Sequence, residues 1–473
     1  MRGRRTKLVC TLGPACATVD AIRALVGAGA DVLRVNFSHG SEEGHAELVA
    51  NARAVAERER LDLAVMADLP GPKIRLGELA TEPLRLVAGQ RFLLRPAGGP
   101  GDAEGAPTSY PGLAEDVRAG DRVLLADGAV ELVVRGAGPN GVLTECVRGG
   151  WVRSRAGVNV PAERLSVPAI TDRDRDGLAR ALDLGADLVA QSFVRSAADV
   201  IGLRALMGAR AVPIVAKIET RPAVDDIAAI LEQADAIMVA RGDLGVELPM
   251  EEIPVLQKEL LVAARGSGKP AIVATQMLES MIRAPRPTRA EASDVANAVL
   301  DGADAMMLSG ETAIGEFPVE AARAADRIAE VVEERAGRFQ AAKTPCTHTD
   351  EASAVAHAAA EIAADDAAVV AIACYTETGR TAGLLSAERP SVPIYAFVPD
   401  APVRRGLAIR WGVVPMPARV PADTDEMIGL MDEGLRGTGV VGPGSSVVMA
   451  ASSPVGKTHT NMLKVHQVGG AIR

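Results

Sequence analysis

The sequence predicts an α/β chain built on a TIM-type (β/α)8 barrel, with a small antiparallel β-barrel lid domain inserted in it and a three-layer α/β domain after it. Three observations carry this expectation. Eight short apolar runs alternate with helix-length amphipathic stretches, polar residues close those runs, and two segments break the repeat.

The first runs are KLVCTLG (7–13), DVLRVNFSHG (31–40) and LAVMADLPG (63–71), with Ala-rich helical periodicity between them at 21–27 and 42–60. From 71 to 164 the pattern changes to Pro, Gly and short alternating runs such as RFLLRP and DRVLLADGAVELVVRG. That patterning predicts an inserted β lid domain within a βα loop. The repeat resumes with DLVAQSF, PIVAKIE, AIMVARGD, AIVATQM and AMMLSGE, so the barrel is expected over 1–70 and 165–341. A Thr- and Pro-containing connection follows, then AAVVAIACY, SVPIYAFV and SSVVMAAS, which predict a C-terminal α/β domain over 342–473.

Chemistry in such a barrel gathers where the strands end. The closing residues here include Asn36, Asp68, Glu219, Asp243, Thr275 and Ser309. Lys217 and Glu219 share a strand face by alternation, and the next strand would bring Asp243 beside them. Two carboxylates suit a hard divalent cation, and an adjacent ammonium suits a migrating phosphoryl group. A buried salt bridge without function accounts for the same three residues.

Composition narrows the classes. The 473 residues carry a net charge of −10 spread along the chain, with no long basic run, so no nucleic-acid surface is expected. Five cysteines without C-x-x-C spacing argue against a disulfide framework and a structural zinc site. No uninterrupted apolar segment reaches membrane-span length, and a cytoplasmic protein is expected. Only eight of the 51 basic residues are lysine, so a lysine at 217 or 73 stands against the chain's own preference for arginine.

In KLVCTLGPA, LRVNFSHG, DLPGPKIR, VAKIET, MVARGDLGVELP, KPAIVATQMLESM, PRPTRAEASDVANAVLDGADAMMLSGETA and TNMLKVHQVGG, the chain resembles the pyruvate kinases, in order and over nearly its whole length. The resemblance implies Mg²⁺-dependent, with Mn²⁺ as the other candidate ion, phosphoryl transfer from phosphoenolpyruvate to ADP, giving pyruvate and ATP in glycolysis. It implies Glu219 and Asp243 as metal ligands, and Lys217 and Arg34 as the residues that stabilise and grip the phosphoryl group. Gly242 and Asp243 would receive the substrate carboxylate through backbone amides at a helix start. Thr275 would serve the protonation of the enolate as a relay or water organiser; a strand-end threonine bonding backbone is the plainer reading. Pro14, Asn36, His39 and Arg75 fall where the family seats the nucleotide, though His39 could equally be a packed histidine.

Departures from the family pattern also carry expectations. Asn36, Ser38 and Asp68 match residues that hold K⁺ in many relatives, but Leu69 lacks the expected hydroxyl and Lys73 replaces a glutamate. A fixed ammonium at Lys73 would substitute for the cation, so K⁺ is expected not to be required. In the lid, Arg155 and Ala156 replace a frequent lysine pair. The loop Thr376, Glu377, Thr378, Gly379, Arg380 and Thr381 follows a strand, opens a helix, and resembles the cradle of relatives activated by AMP or sugar monophosphates more than the fructose 1,6-bisphosphate version. N-capping explains its threonines as well. A homotetramer is the family's usual assembly. An aldolase-like barrel and an inactive metabolite sensor are the competing readings. The first has no place for the lid, and the second none for Lys217, Glu219, Asp243 and Thr275 together.

Overall fold

The computed structural model describes residues 3–336, 350–456 and 459–470; the expected boundary at 341/342 and Cys346 lie outside them. Eight parallel strands close into a barrel: Lys7–Thr11, Val32–Asn36, Ala64–Asp68, Leu188–Gln191, Ile214–Ile218, Ala236–Ala240, Ala271–Ala274 and Ala305–Leu308. Closure comes from pairing the first strand with the last, Lys7 opposite Ala305 and Cys10 opposite Leu308.

Most of these strands are buried along their full length, because one side faces the barrel interior and the other the helices. The interior is filled by small and flexible side chains, among them Val9, Met66, Val215, Met238 and Met307. A second apolar layer, including Leu33, Val65, Ile214, Ile237 and Val273, meets the helices outside. Helix starts are set by local chemistry. Thr171 with Asp174, and Thr288 with Glu291, form reciprocal capping boxes ahead of Asp172–Asp183 and Arg289–Leu300.

Between the third and fourth barrel strands, the chain builds a separate six-stranded sheet over its own core of Phe92, Leu94, Val123, Leu125 and Leu132. Its ladders are antiparallel except for Arg91–Arg95 with Gly105–Pro107, which run parallel. A two-stranded ribbon, Leu84–Leu86 with Gly150–Val152, accompanies it.

The C-terminal domain has five strands in the order Val413–Pro417, Ile394–Val398, Val369–Tyr375, Ser446–Ala451, Met462–Gln467, the last antiparallel. Sequence patterning indicates the three central strands only. The outer two carry prolines or polar residues, which edge positions tolerate. Among the contacts that tie this domain to the barrel, Ala408 and Ile409 join the apolar cluster of the barrel interior, closing its base. Among the described residues no helix is long and apolar enough to cross a membrane, and Cys10, Cys16, Cys146 and Cys374 are buried free thiols.

Candidate active site

Lys217, on the fifth barrel strand, is the hub of the C-terminal mouth. Its Nζ lies 3.0 Å from Glu219 Oε1 and 3.4 Å from Asp68 Oδ1, and donates to Ser192 Oγ at 2.7 Å. Burial opposes its charge, but Asp68 and Glu219 outweigh it and push the ammonium up to about 12. Asp68, fully buried, is held below the usual carboxylate range: burial works against ionisation, and Lys217 and Arg34 overcome it. Arg34 donates from Nε to Asp68 Oδ2 at 2.7 Å and from Nη1 to Thr11 Oγ1 at 3.0 Å, which fixes the plane of its guanidinium.

Glu219 is 1 % exposed and accepts from the Phe193 amide at 2.7 Å. Burial pushes its carboxyl above the usual range; Lys217 opposes the rise and the charge of Asp243 adds to it. Glu219 and Asp243 are therefore close enough to repel. Among the described residues no cluster of three or more His, Cys, Asp or Glu side chains is poised to hold a metal. Two mutually repelling carboxylates with hard oxygen donors fit Mg²⁺, which takes one or two protein carboxylates and completes its shell with water and substrate oxygens.

Lys73 approaches from the segment leading into the lid. Its Nζ donates to Asp243 Oδ1 at 2.9 Å and lies 3.6 Å from Asp127 Oδ1 of the lid. The carboxylates it meets at contact distance are thus Asp243 and Asp127, while Asp68 is taken by Arg34 and Lys217. Asn36 Oδ1 accepts from the Ser38 amide at 3.0 Å, and the Leu69 carbonyl accepts from Ser192 Oγ at 2.7 Å.

Thr275 follows the seventh strand with φ 71°, and Gln276 has φ 54°; for a β-branched residue this left-handed backbone stores of order 1–3 kcal/mol. Its Oγ1 donates to the Ala274 carbonyl at 2.6 Å and accepts from the Gly242 amide at 2.7 Å. A substrate carboxylate reaching the Gly242 amide would compete with Thr275 for it. Arg241, clamped by Asp294 at 2.7 Å, donates to the Thr275 carbonyl at 2.8 Å and braces the turn.

His39 is exposed at the mouth, with its carbonyl accepting from His45 Nε2 at 2.6 Å. The packed histidine is His45, stacked on Phe37 with centroids 4.4 Å apart. Partial burial, then Arg75, Arg173, Arg34 and Lys73, push the His39 ring below its ordinary value, so a belt of cations surrounds it. Arg75 donates to the Arg155 carbonyl at 3.1 Å where the lid joins the barrel. Pro14 opens a short 3-10 turn, Pro14–Cys16, after the first strand.

In the C-terminal loop the six expected residues divide. Thr376 and Thr381 are buried: Thr376 Oγ1 accepts from the Gly379 amide at 3.0 Å, and Thr381 Oγ1 meets Thr460 Oγ1 at 2.6 Å. Glu377 is exposed, while Thr378, Gly379 and Arg380 line a cavity, with Arg380 paired to Asp350.

Ser192, Thr11, Phe193 and Asp127 are contacts that sequence reasoning did not single out. Ser192 follows the run DLVAQ, so the rule of polar residues at strand ends could have found it. Asp127 belongs to the lid, and nothing in its neighbourhood signals contact with Lys73.

A family model described as "Pyruvate kinase, barrel domain" matches residues 3–322, and one described as "Pyruvate kinase, alpha/beta domain" matches 353–466. A protein named pyruvate kinase from Mycobacterium intracellulare is 44% identical over 471 residues, spanning 98% of this chain and 99% of that one. The chain belongs to the pyruvate kinase family. Another pyruvate kinase, from Geobacillus stearothermophilus, is 41% identical over 98% of this chain and 80% of its own. A crystal structure titled as a pyruvate kinase from Cryptosporidium parvum superposes with TM-score 0.88 at 34% identity, covering 98% of this chain and 96% of that one.

Proposed function

We propose that this pyruvate kinase family enzyme moves the phosphoryl group of phosphoenolpyruvate to ADP at the barrel mouth, yielding pyruvate and ATP. The contact that carries the reading is Lys217 held between Asp68 and Glu219, at 3.4 and 3.0 Å, with Arg34 sharing Asp68. Its ammonium, pushed up to about 12, stays charged at neutral pH and faces the site where anionic oxygens would gather. Phosphoryl transfer needs little covalent help and much electrostatic placement, and fixed cations supply it without reorganising. Glu219 and Asp243 would hold the divalent ion, Mg²⁺ or Mn²⁺, which when bound supplies Lewis-acid neutralisation of substrate oxygens. Arg34, immobilised by Asp68 and Thr11, orients the phosphate. Thr275 orders the water that gives a proton to the enolate carbon; its hydroxyl, held between Ala274 and Gly242, is fixed for that task.

The belt of Arg75, Arg173, Arg34 and Lys73 around His39 supports nucleotide phosphates beside Pro14 and Asn36. The family resemblance further supports a cytoplasmic, glycolytic homotetramer with an effector loop at Thr376–Thr381. Measuring pyruvate released from phosphoenolpyruvate and ADP tests the reaction; no release above background in the presence of Mg²⁺ overturns it.

We also propose turnover without K⁺. Lys73 adds a fixed ammonium to the mouth, 2.9 Å from Asp243 rather than among Asn36, Ser38 and Asp68, and that added positive charge supports the reading. The rate in tetramethylammonium chloride should match that in KCl to within about twofold, whereas a tenfold requirement for K⁺ sinks the idea.

A further inference from the structure

Past Gln191, which ends the fourth barrel strand, the chain turns sharply through Ser192 and Phe193, and Phe193 takes φ 54°. A bulky residue in the left-handed region is an outlier that persists only where its surroundings hold it. The two residues of this turn reach two partners at the end of the neighbouring fifth strand. Lys217 Nζ donates to Ser192 Oγ at 2.7 Å, and the Phe193 amide donates to Glu219 Oε2 at 2.7 Å. Lys217 and Glu219 meet each other at 3.0 Å through Glu219 Oε1. One turn therefore touches both the central ammonium and a carboxylate read above as a metal ligand.

Each contact leaves little freedom. Ser192 Oγ lies 2.7 Å from the Leu69 carbonyl and 3.4 Å from Asp68 Oδ1, so its one proton belongs to the carbonyl and it meets Lys217 as an acceptor. Ser192 Oγ, Glu219 Oε1 and Asp68 Oδ1, at 2.7, 3.0 and 3.4 Å, then face the three N–H bonds of Lys217. On Glu219 one oxygen is held by an ammonium and the other by an amide, which opposes the rotation that repulsion from Asp243 favours. The turn is also pressed from the lid side. Gly71, with φ 67°, lies so close that a Cβ there would fall 2.9 Å from both Ser192 Cβ and Phe193 Cδ2, and its amide is tied to Asp174 Oδ1 at 2.8 Å. Leu69 and Gly71 belong to the segment that enters the lid. The root of the lid thus holds the turn, and the turn holds Lys217 and Glu219.

We propose that Ser192 and Phe193 are positioning residues for phosphoryl transfer: the serine hydroxyl aims the Lys217 ammonium, and the strained backbone of Phe193 aims the Glu219 carboxylate at the divalent ion. This deepens the reaction proposed above and rests on it. Neither residue touches substrate in this scheme; each acts through its neighbour. Partners that orient a metal ligand or a charged catalytic side chain are worth about 10–100-fold in affinity or activity. From Phe193 the site uses the amide rather than the ring. Relaxing the residue to negative φ would turn that amide away from Glu219 or drag the chain after it, and the next residue, Val194, is fully buried.

Titration of the full chain with Mn²⁺, the free ion followed by electron paramagnetic resonance, tests the two residues separately when paired with phosphoenolpyruvate saturation curves. Ser192→Ala should lower kcat by about tenfold or more, while the half-saturation for phosphoenolpyruvate and the Mn²⁺ affinity each move by less than about threefold. Phe193→Val, whose β-branched side chain resists positive φ, should weaken Mn²⁺ binding by about tenfold, and Phe193→Asn, which accepts that backbone, should recover most of it. Gly71→Ala should weaken Mn²⁺ binding in the same direction although it alters neither residue. A Ser192→Ala protein with unchanged kcat and only a lower melting temperature makes the serine structural and overturns its role. Mn²⁺ affinity unchanged in both Phe193→Val and Gly71→Ala overturns the role of the amide. So does Phe193→Asn binding as weakly as Phe193→Val, which would make the lost ring the cause. Thermal melting of each variant separates a displaced ligand from a lost fold. Unaltered protein that binds Mn²⁺ but releases no pyruvate overturns the reaction and leaves the metal titrations to judge the turn, whereas an active protein whose variants match it overturns this inference alone.

Discussion

At the barrel mouth Lys217 and Arg34 meet carboxylates, whereas at the base Lys269 and Arg410 meet only backbone carbonyls. The mouth is a network of buried charges that is satisfied before any ligand arrives, so its geometry is fixed in advance. The base pairs its cations one at a time instead, Arg389 with Asp304 at 3.1 Å and Arg405 with Asp187 at 2.6 Å, and leaves Lys269 and Arg410 on carbonyls. Pre-paired charge suits catalysis, where the field must be present at the moment of reaction.

The strongest challenge to this contrast is removal of the central mouth cation. Lys217→Met should lower kcat by about 10²–10³, with a much smaller change in the half-saturation for phosphoenolpyruvate, because the ammonium matters most where charge develops. A loss under tenfold would break the comparison. A smaller effect is expected at the braced turn. Thr275→Ala should reduce kcat by about 10²-fold, at the low end for a positioned proton-transfer group, and a solvent isotope effect on the remaining rate should rise. An unchanged rate and isotope effect would leave Thr275 as a backbone anchor only.

The mildest test concerns stability. Lys217 is raised in the folded state from 10.5 to about 12, so its pairing contributes fully below pH 10.5 and is lost as pH rises through about 12. Melting temperature should therefore fall across that interval, and Lys217→Met should flatten the fall. Equal slopes in the two proteins would mean that the pairing adds nothing at the mouth.

How far the sequence could be read follows from where partners sit along the chain. Lys217 and Glu219 are two apart, so alternation alone brings them to one face, and repetition of the strand pattern delivers the barrel. Arg34 and Thr11 meet across neighbouring strands at a register no local pattern specifies, and Lys73 finds Asp127 only because the lid folds back over the mouth. The Gly242 amide shows the same limit: its position at a helix start was legible, but its bond to Thr275 Oγ1 depends on the strained turn after the seventh strand. The cavity lined by Thr378, Gly379 and Arg380 is assembled from short connections of two domains, where periodicity carries no signal. In the C-terminal domain the central strands announce themselves as apolar runs, while Val413–Pro417, with its two prolines, reads as loop until its neighbour pairs with it.

Ala408 and Ile409 make the C-terminal domain a cork for the catalytic one. Excising that domain would uncover Val9, Met307 and their neighbours to water from below, so a shortened chain ending near residue 336 would be left with an open, aggregation-prone barrel. In this protein the part that would sense and the part that would catalyse cannot be separated without exposing the core they share.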